Sequence, residues 1–167
     1  GPGETVVFAV GPDSVQETLR KAMSMGADRA VHLKADAPVV DRIAVAEALA
    51  AELKDGGFDL ILFGKYAFDT SGGIVGTATA EMLSLPCVTA ASKLEITAGK
   101  GTARREIEGA GEVVEFSLPA VVTIDEGIAR PRYRSLKGIM AAKKKPLETK
   151  PAQLPAPRVT VQKMELP

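Results

Sequence analysis

Three observations predict an α/β fold around a mostly parallel sheet. Short apolar runs alternate with helical patterns in the order β-α-β-α-β-α, an order that implies parallel strands joined by right-handed crossovers. One run, Leu60-Ile61-Leu62-Phe63, shows no polar alternation, as expected of a strand buried on both faces. That run halts at Gly64 and leads through a glycine-bearing loop into a helical pattern opening at Ile74. In open α/β sheets such a strand-loop-helix corner is where ligands bind.

The first strand is expected over Thr5 to Val10, broken by Gly11-Pro12-Asp13. Ser14 and Glu17 form an S-x-x-E capping box, and Val15, Leu19, Ala22 and Met23 share one helical face. Gly26 is placed to end that helix. A second strand covers Ala30 to Leu33. A second helix covers Asp41 to Lys54, with Ile43, Ala46, Ala50 and Leu53 facing inward and Gly56-Gly57 closing it. The third helix carries Val75, Ala78, Met82 and Leu85 on one side and stops at Leu85-Pro86.

The pattern then changes. After a short run at Cys87 to Ala91, strand-like runs at Leu94 to Thr97, Thr102 to Ile107 and Glu112 to Leu118 are separated by glycine-bearing gaps, which signals antiparallel hairpins. Ala120 to Ile124 is a last apolar strand. Asp125 to Ser135 reads as a loop, and Leu136 to Ala142 as one or two helical turns. From Pro146 onward five prolines exclude a helix, and the segment reads as an extended arm with Val159, Val161, Met164 and Leu166 as apolar anchors. The division expected is an α/β domain over 1-124, a basic segment over 125-145 and the arm over 146-167.

Composition narrows the function. With 167 residues, 46% hydrophobic and 25% charged, the chain suits one globular domain with a core. Aromatics make up 4% and Trp is absent, so that core must be aliphatic and rich in alanine. Twenty-one basic residues balance 21 acidic ones, which argues against bulk nucleic-acid affinity. No apolar run reaches the length of a membrane span, and no signal-peptide pattern is present. One His and one Cys cannot make a zinc site of the usual ligands, and one Cys makes no internal disulfide. No Ser/His/Asp set or carboxylate pair marks a catalytic centre. His32, in an apolar strand, reads as a packed or surface residue, and Cys87 as a small buried hydrophobe.

Two stretches stand out. The loop Gly64-Lys65-Tyr66-Ala67-Phe68-Asp69-Thr70-Ser71-Gly72-Gly73-Ile74-Val75 matches neither GxxxxGK[ST] nor GxGxxG. It is therefore either a βα turn that needs glycines or an anion site made by amides at a helix N-terminus. The segment Arg130 to Lys145 holds seven basic residues and no acidic one, interleaved with Tyr133, Leu136, Ile139 and Met140. Either it is a solvated basic stretch, or it steers an acidic partner that an apolar side chain then anchors.

Taken together, these pieces resemble the β subunit of electron transfer flavoproteins. The resemblance is carried by VGP with ETLRKAMSMGADRAVHL at Val10 to Leu33, and by the GKxAxD pattern of Gly64, Lys65, Ala67 and Asp69 with Val75-Gly76 after it. REIEGAGEVVEFSLPAVVTI at Arg105 to Ile124 and PRYxSLKGIMxAKKK at Pro131 to Lys145 complete it. It implies a parallel, doubly wound sheet of the adenine-nucleotide alpha-hydrolase-like type, with a small antiparallel extension and an extended C-terminal arm on the partner subunit. It implies a heterodimer with an α subunit that holds most of one redox-active FAD. It also implies AMP bound structurally by β, a pocket that holds a second FAD in bifurcating members. Acyl-CoA or other flavin dehydrogenases would donate electrons, and a quinone reductase or another acceptor would take them. The expected compartment is the cytoplasm of a bacterium or the mitochondrial matrix of a eukaryote.

Carried over residue by residue, the resemblance assigns nucleotide contacts to Val10 and to the loop Gly64, Lys65, Tyr66, Ala67, Phe68, Asp69, Thr70, Ser71, Gly72, Gly73, Ile74 and Val75. Amides near Gly72 to Val75 would meet the phosphate, and Gly64-Lys65-Tyr66 the ribose and base. Thr70 to Ile74 stand where the family has further acidic residues and a Gln, and Ala141 stands where it has a lysine. The recognition loop falls on Arg132, Tyr133, Arg134, Ser135, Leu136, Lys137, Gly138, Ile139, Met140 and Ala141, with Leu136 as the anchor that enters a partner's pocket. Family chains begin some tens of residues earlier, and a sheet lacking that first strand is expected to show an unpaired edge. Such a chain is an electron-carrier subunit, not a self-sufficient enzyme. The alternative is an adenine-nucleotide-binding regulatory module of the same fold without a flavin partner.

Overall fold

A computed structural model describes residues 3–163. In chain order the elements are β1 (Val6–Gly11), α1 (Val15–Ser24), β2 (Arg29–Lys34), α2 (Arg42–Leu53), β3 (Leu60–Gly64), α3 (Val75–Leu83), β4 (Cys87–Thr97), β5 (Lys100–Ile107), β6 (Ala110–Ser117), β7 (Ala120–Ile124), α4 (Leu136–Lys144) and β8 (Leu147–Pro151). They form two compact units, Gly1–Ala48 with Pro131–Pro167, and Leu49–Arg130. Helix α2 begins in the first and ends in the second. No helix among the described residues is long and apolar enough to cross a membrane.

The first unit is a three-stranded sheet in the order β1-β2-β8, parallel throughout. Strand β8 begins directly after Pro146 and ends at Pro151, so the start of the expected arm is a strand of this chain's own sheet. The prolines hid it: Pro is confined to strand ends and edges, and both sit at or next to the ends of a strand that lies at the sheet's edge. Leu19 and Met23 from α1 pack with Ala27, Ala30 and Ala142 beneath that sheet, joined by Val7, Ala9, Val15 and Leu147. Burying side chains of that size stabilises by about 1.5–3 kcal/mol each. The capping box does not form: Ser14 is itself in the helical region and makes no side-chain cap. The helix starts instead through Val15 N–H to Pro12 O and Gln16 N–H to Asp13 O. Glu17 turns away to pair with Lys21 at 2.8 Å.

Helix α2 has the cap that α1 lacks. Asp41 Oδ1 accepts from the amides of Ile43 and Ala44 at 3.0 and 3.1 Å, while its Oδ2 accepts from the Arg158 amide at 3.0 Å. The Arg158 guanidinium reaches both Asp41 and Glu47. The chain beyond β8 is thus tied back at Arg158, and Val159 and Val161 beyond that tie are exposed.

The second unit has the order β3-β7-β4-β5-β6. β3, β7 and β4 run parallel, and β4, β5 and β6 antiparallel. The two runs expected at Cys87 to Ala91 and Leu94 to Thr97 are one strand, β4, bent by register shifts between Val88 and Lys93. Its first half pairs with β7 and its second half with β5, so one strand joins the parallel and antiparallel parts. Phe116 lies over Gly101, where a Cβ would meet its ring at 2.1 Å.

The single parallel sheet expected of the first three strands is corrected here: β1 and β2 lie in one sheet and β3 in another. β3 has one pairing neighbour among the described residues, and Leu62 is 54% exposed, so it is not the strand buried on both faces. That strand is β7, whose Val121 and Val122 are wholly buried between β3 and β4. β1, β8, β3 and β6 are edge strands among the described residues. Cys87 is another correction: it is exposed at the start of β4. His32 is buried and satisfied. Its Nε2 lies 2.8 Å from the Gly11 carbonyl and its Nδ1 3.4 Å from the Gln16 amide, which sets the ring's proton on Nε2.

Candidate functional site

The loop from Gly64 to Val75 follows the carboxyl end of β3 and meets that of β7, beside the point where β4 leaves the parallel pairing. The Lys65 amide donates to Ile124 O at 2.9 Å, the last residue of β7. The Asp125 amide donates to Ala91 O in β4 at 2.9 Å. Lys65 Nζ then reaches Asp125 Oδ2 at 2.9 Å. That ammonium, helped by the Glu126 amide, holds the Asp125 carboxyl below the ordinary range. Ala90, at φ +54°, forms the bulge beside this rim, with its amide on Thr123 Oγ1 at 2.8 Å.

The loop folds on itself. Ala67 N–H donates to Gly72 O at 3.0 Å, with Ser71 in the left-handed region and Thr70 Oγ1 on Asp69 Oδ1 at 3.1 Å. At Gly73 a Cβ would stand 2.9 Å from Lys65 O, so the backbone passes where no side chain fits. Ile74 stands at the N-cap of α3 with no side-chain hydrogen bond, and the first helical bond runs from Ala78 N–H to Ile74 O. The amides of the first turn therefore lack an intrahelical acceptor and carry the positive end of the helix dipole. Gly76 lets this helix approach the sheet: a Cβ there would stand 2.9 Å from Thr123 Cγ2 and 3.0 Å from Phe63. Tyr66 and Phe68 stand edge to face at 5.8 Å, Phe68 is 91% exposed, and Lys65 Nζ lies 5.9 Å from the Tyr66 ring. Chemically, the loop offers amides, one ammonium and two accessible rings, which suits an anion attached to a planar base. Val10 lies in the first unit, one residue before the end of β1.

The segment Arg132 to Ala141 lies in the first unit, against α1. Ser135 caps α4, its Oγ accepting the Gly138 amide at 3.0 Å. Tyr133 is 99% exposed and Leu136 78%, with Met140 half exposed. Two of the cations are structural. Arg20, from α1, donates to Ala142 O and Lys145 O at the C-terminal end of α4. Lys145 Nζ donates to Met23 O and Ala27 O at the end of α1. Each helix thus neutralises the other's carbonyl end. Gly138 meets Ser24 O so closely that a Cβ would stand at 2.6 Å, and the Arg132 guanidinium lies against Gly26. Arg134 and Lys143 make no ion pair among the described residues.

Sequence reasoning missed Asp125, Arg20 and the Asp41–Arg158 tie. Their partners lie 60, 122 or more, and 117 positions away, and no local pattern spans such separations.

These features define an α/β protein with parallel strands and a glycine-bearing loop at their carboxyl rim. The chain belongs to the electron transfer flavoprotein family, whose domain model matches residues 1–155. It is 41% identical over 148 residues to the electron transfer flavoprotein subunit beta of Bacillus subtilis, covering 87% of this chain and 58% of that one. The Syntrophomonas wolfei subunit beta is 42% identical over 164 residues, covering 98% and 65%. The human subunit beta is 40% identical over 155 residues, covering 90% and 61%. The chain therefore spans less than two thirds of the length of these curated relatives.

Proposed function

We propose that this chain is the β part of a heterodimeric electron carrier, with an α subunit holding most of the FAD. The fold is read as the adenine-nucleotide alpha-hydrolase type, functionally divided at 124 and 145 as expected above. The loop Gly64 to Val75 holds AMP as a structural ligand. The phosphate lies on the uncapped amides at the start of α3, and the base lies near Tyr66. The Gly73 close approach and the exposed rings fit such a ligand. The flavin supplies the electron chemistry, while this chain binds, orients and docks. Flavin dehydrogenases donate to it and a quinone reductase or similar protein accepts, in the cytoplasm or mitochondrial matrix.

The observation that carries the docking half is Leu136: a leucine 78% exposed at the first turn of a capped helix, with Arg134 and Lys137 beside it in sequence. Leu136→Ala in the FAD-loaded heterodimer is expected to raise the KM for a donor dehydrogenase about tenfold, with FAD content unchanged. Unchanged transfer at low dehydrogenase concentration would remove Leu136 from docking. A colourless homodimer that binds ATP would favour the regulatory-module reading instead.

A further inference from the structure

We propose that the cleft between α1 and α4 is a receiving pocket for an acidic segment with an apolar side chain, presented by the protein on which Leu136 docks. This rests on the docking reading above and adds to it: the contact is gripped in both directions, a leucine going out and a partner side chain coming in.

The cleft has a volume of about 340 Å³ and is lined by Glu17, Arg20, Lys21, Ser24 on α1 and Arg134, Ile139, Ala142, Lys143 on or beside α4. That is near the small end of binding pockets, room for one or two side chains. Its floor is Ile139, Ala142 and the aliphatic stems of the cations, which bury methylenes while their heads stay wet. Four cations face one acid. Glu17 is taken by Lys21 at 2.8 Å, and Arg20 by the carbonyls at the end of α4. Lys21, with Arg134 adding its charge, holds the Glu17 carboxyl below its ordinary range, but neither Arg134 nor Lys143 makes an ion pair among the described residues, so both stand at the rim to meet added carboxylates. The cleft is also braced. Gly138 against Ser24 O sets the helix separation, and Arg20 and Lys145 tie the C-terminal end of α4 to α1 and the turn after it.

Leu136 and Ile139 are three residues apart on α4, hence neighbours on its surface. The exposed anchor and the cleft are adjacent parts of one helix. The chemistry points to polypeptide. No aromatic ring lines the cleft for a base to stack on, and the whole chain is neutral, 21 charges of each sign, whereas nucleic-acid sites combine basic stripes with stacking platforms.

The test uses the FAD-loaded heterodimer and a donor dehydrogenase. Ser24→Trp fills the cleft without changing charge, and Arg134→Glu with Lys143→Glu reverses its rim. Lys93→Glu, in the antiparallel extension, controls for bulk charge. A photoreactive benzoylphenylalanine replacing Ile139 captures the occupant for mass analysis. Expected are a rise in donor KM of about tenfold for Ser24→Trp and more for the double variant. In both, kcat and FAD content are unchanged, Lys93→Glu stays near wild type, and the captured donor peptide is rich in Asp or Glu with an apolar residue. If Ser24→Trp fails to fold, the rim variant and the capture decide. KM within twofold of wild type for the cleft variants, while Leu136→Ala still raises it, overturns the pocket and leaves the docking reading standing. KM unmoved by Leu136→Ala as well overturns both. Capture of a basic segment, or of a second copy of this chain, also overturns the pocket.

Discussion

The loop after β3 and the surface around α4 are both read as binding regions, yet they are built in opposite ways. The loop works by omission. Gly73 leaves room beside Lys65 O, Gly76 brings α3 onto Thr123 and Phe63, and Ile74 leaves the helix start uncapped. The α4 surface works by extension: its helix is capped at Ser135 and locked by Arg20 and Lys145, and Tyr133, Leu136 and Met140 project into solvent. The first arrangement suits a small ligand that must come close to backbone. The second suits a protein, for which affinity comes from a few anchors and rate from charge.

The contrast predicts different sensitivities. Gly76→Ala has to push a methyl into Thr123 and Phe63, and overpacking of this kind costs about 1–3 kcal/mol. Leu136→Ala, on a mostly exposed side chain, is expected to move stability by no more than about 0.5 kcal/mol. Denaturant midpoints compare the two directly. A stable Gly76→Ala beside a destabilised Leu136→Ala would reverse the assignment of which region is packed and which is displayed.

A smaller effect concerns the tail. The Arg158 amide, then the Ala44 amide, hold the Asp41 carboxyl below its ordinary 3.8. A depressed carboxylate stabilises above the unfolded value and loses that contribution as pH falls through the folded one. The tie between Arg158 and α2 should thus persist through pH 5 and release only below the ordinary carboxylate range. Amide exchange at Arg158, followed as pH is lowered, reads this. Release near pH 6 would mean that Asp41 does not hold the tail.

The parts legible in the sequence were those set by local chemistry. The order of strands and helices follows from apolar periodicity broken by glycine and proline, and the loop at Gly64 could be found because glycines interrupt a β-to-α transition. The capping box at Ser14 and Glu17 misled because Pro12 and Asp13 carbonyls already supply the first turn. The apolar run Leu60 to Phe63 suggests full burial of β3, yet pairing on one side only leaves Leu62 exposed. β8 is invisible in the sequence because Pro146 and Pro151 bracket only four ordinary residues, while its partner, β2, lies more than a hundred positions earlier. The α1–α4 lock depends on side chains from the two ends of the chain, which no window of sequence brings together.

The central proposal is that the loop Gly64 to Val75 holds a nucleotide through its backbone. Denaturing the purified heterodimer and weighing what is released tests this, with Gly73→Val beside the wild type. One AMP per wild-type β chain and its loss from Gly73→Val is the predicted result. A wild type that releases no adenine nucleotide, or a variant that keeps it in full, would contradict it.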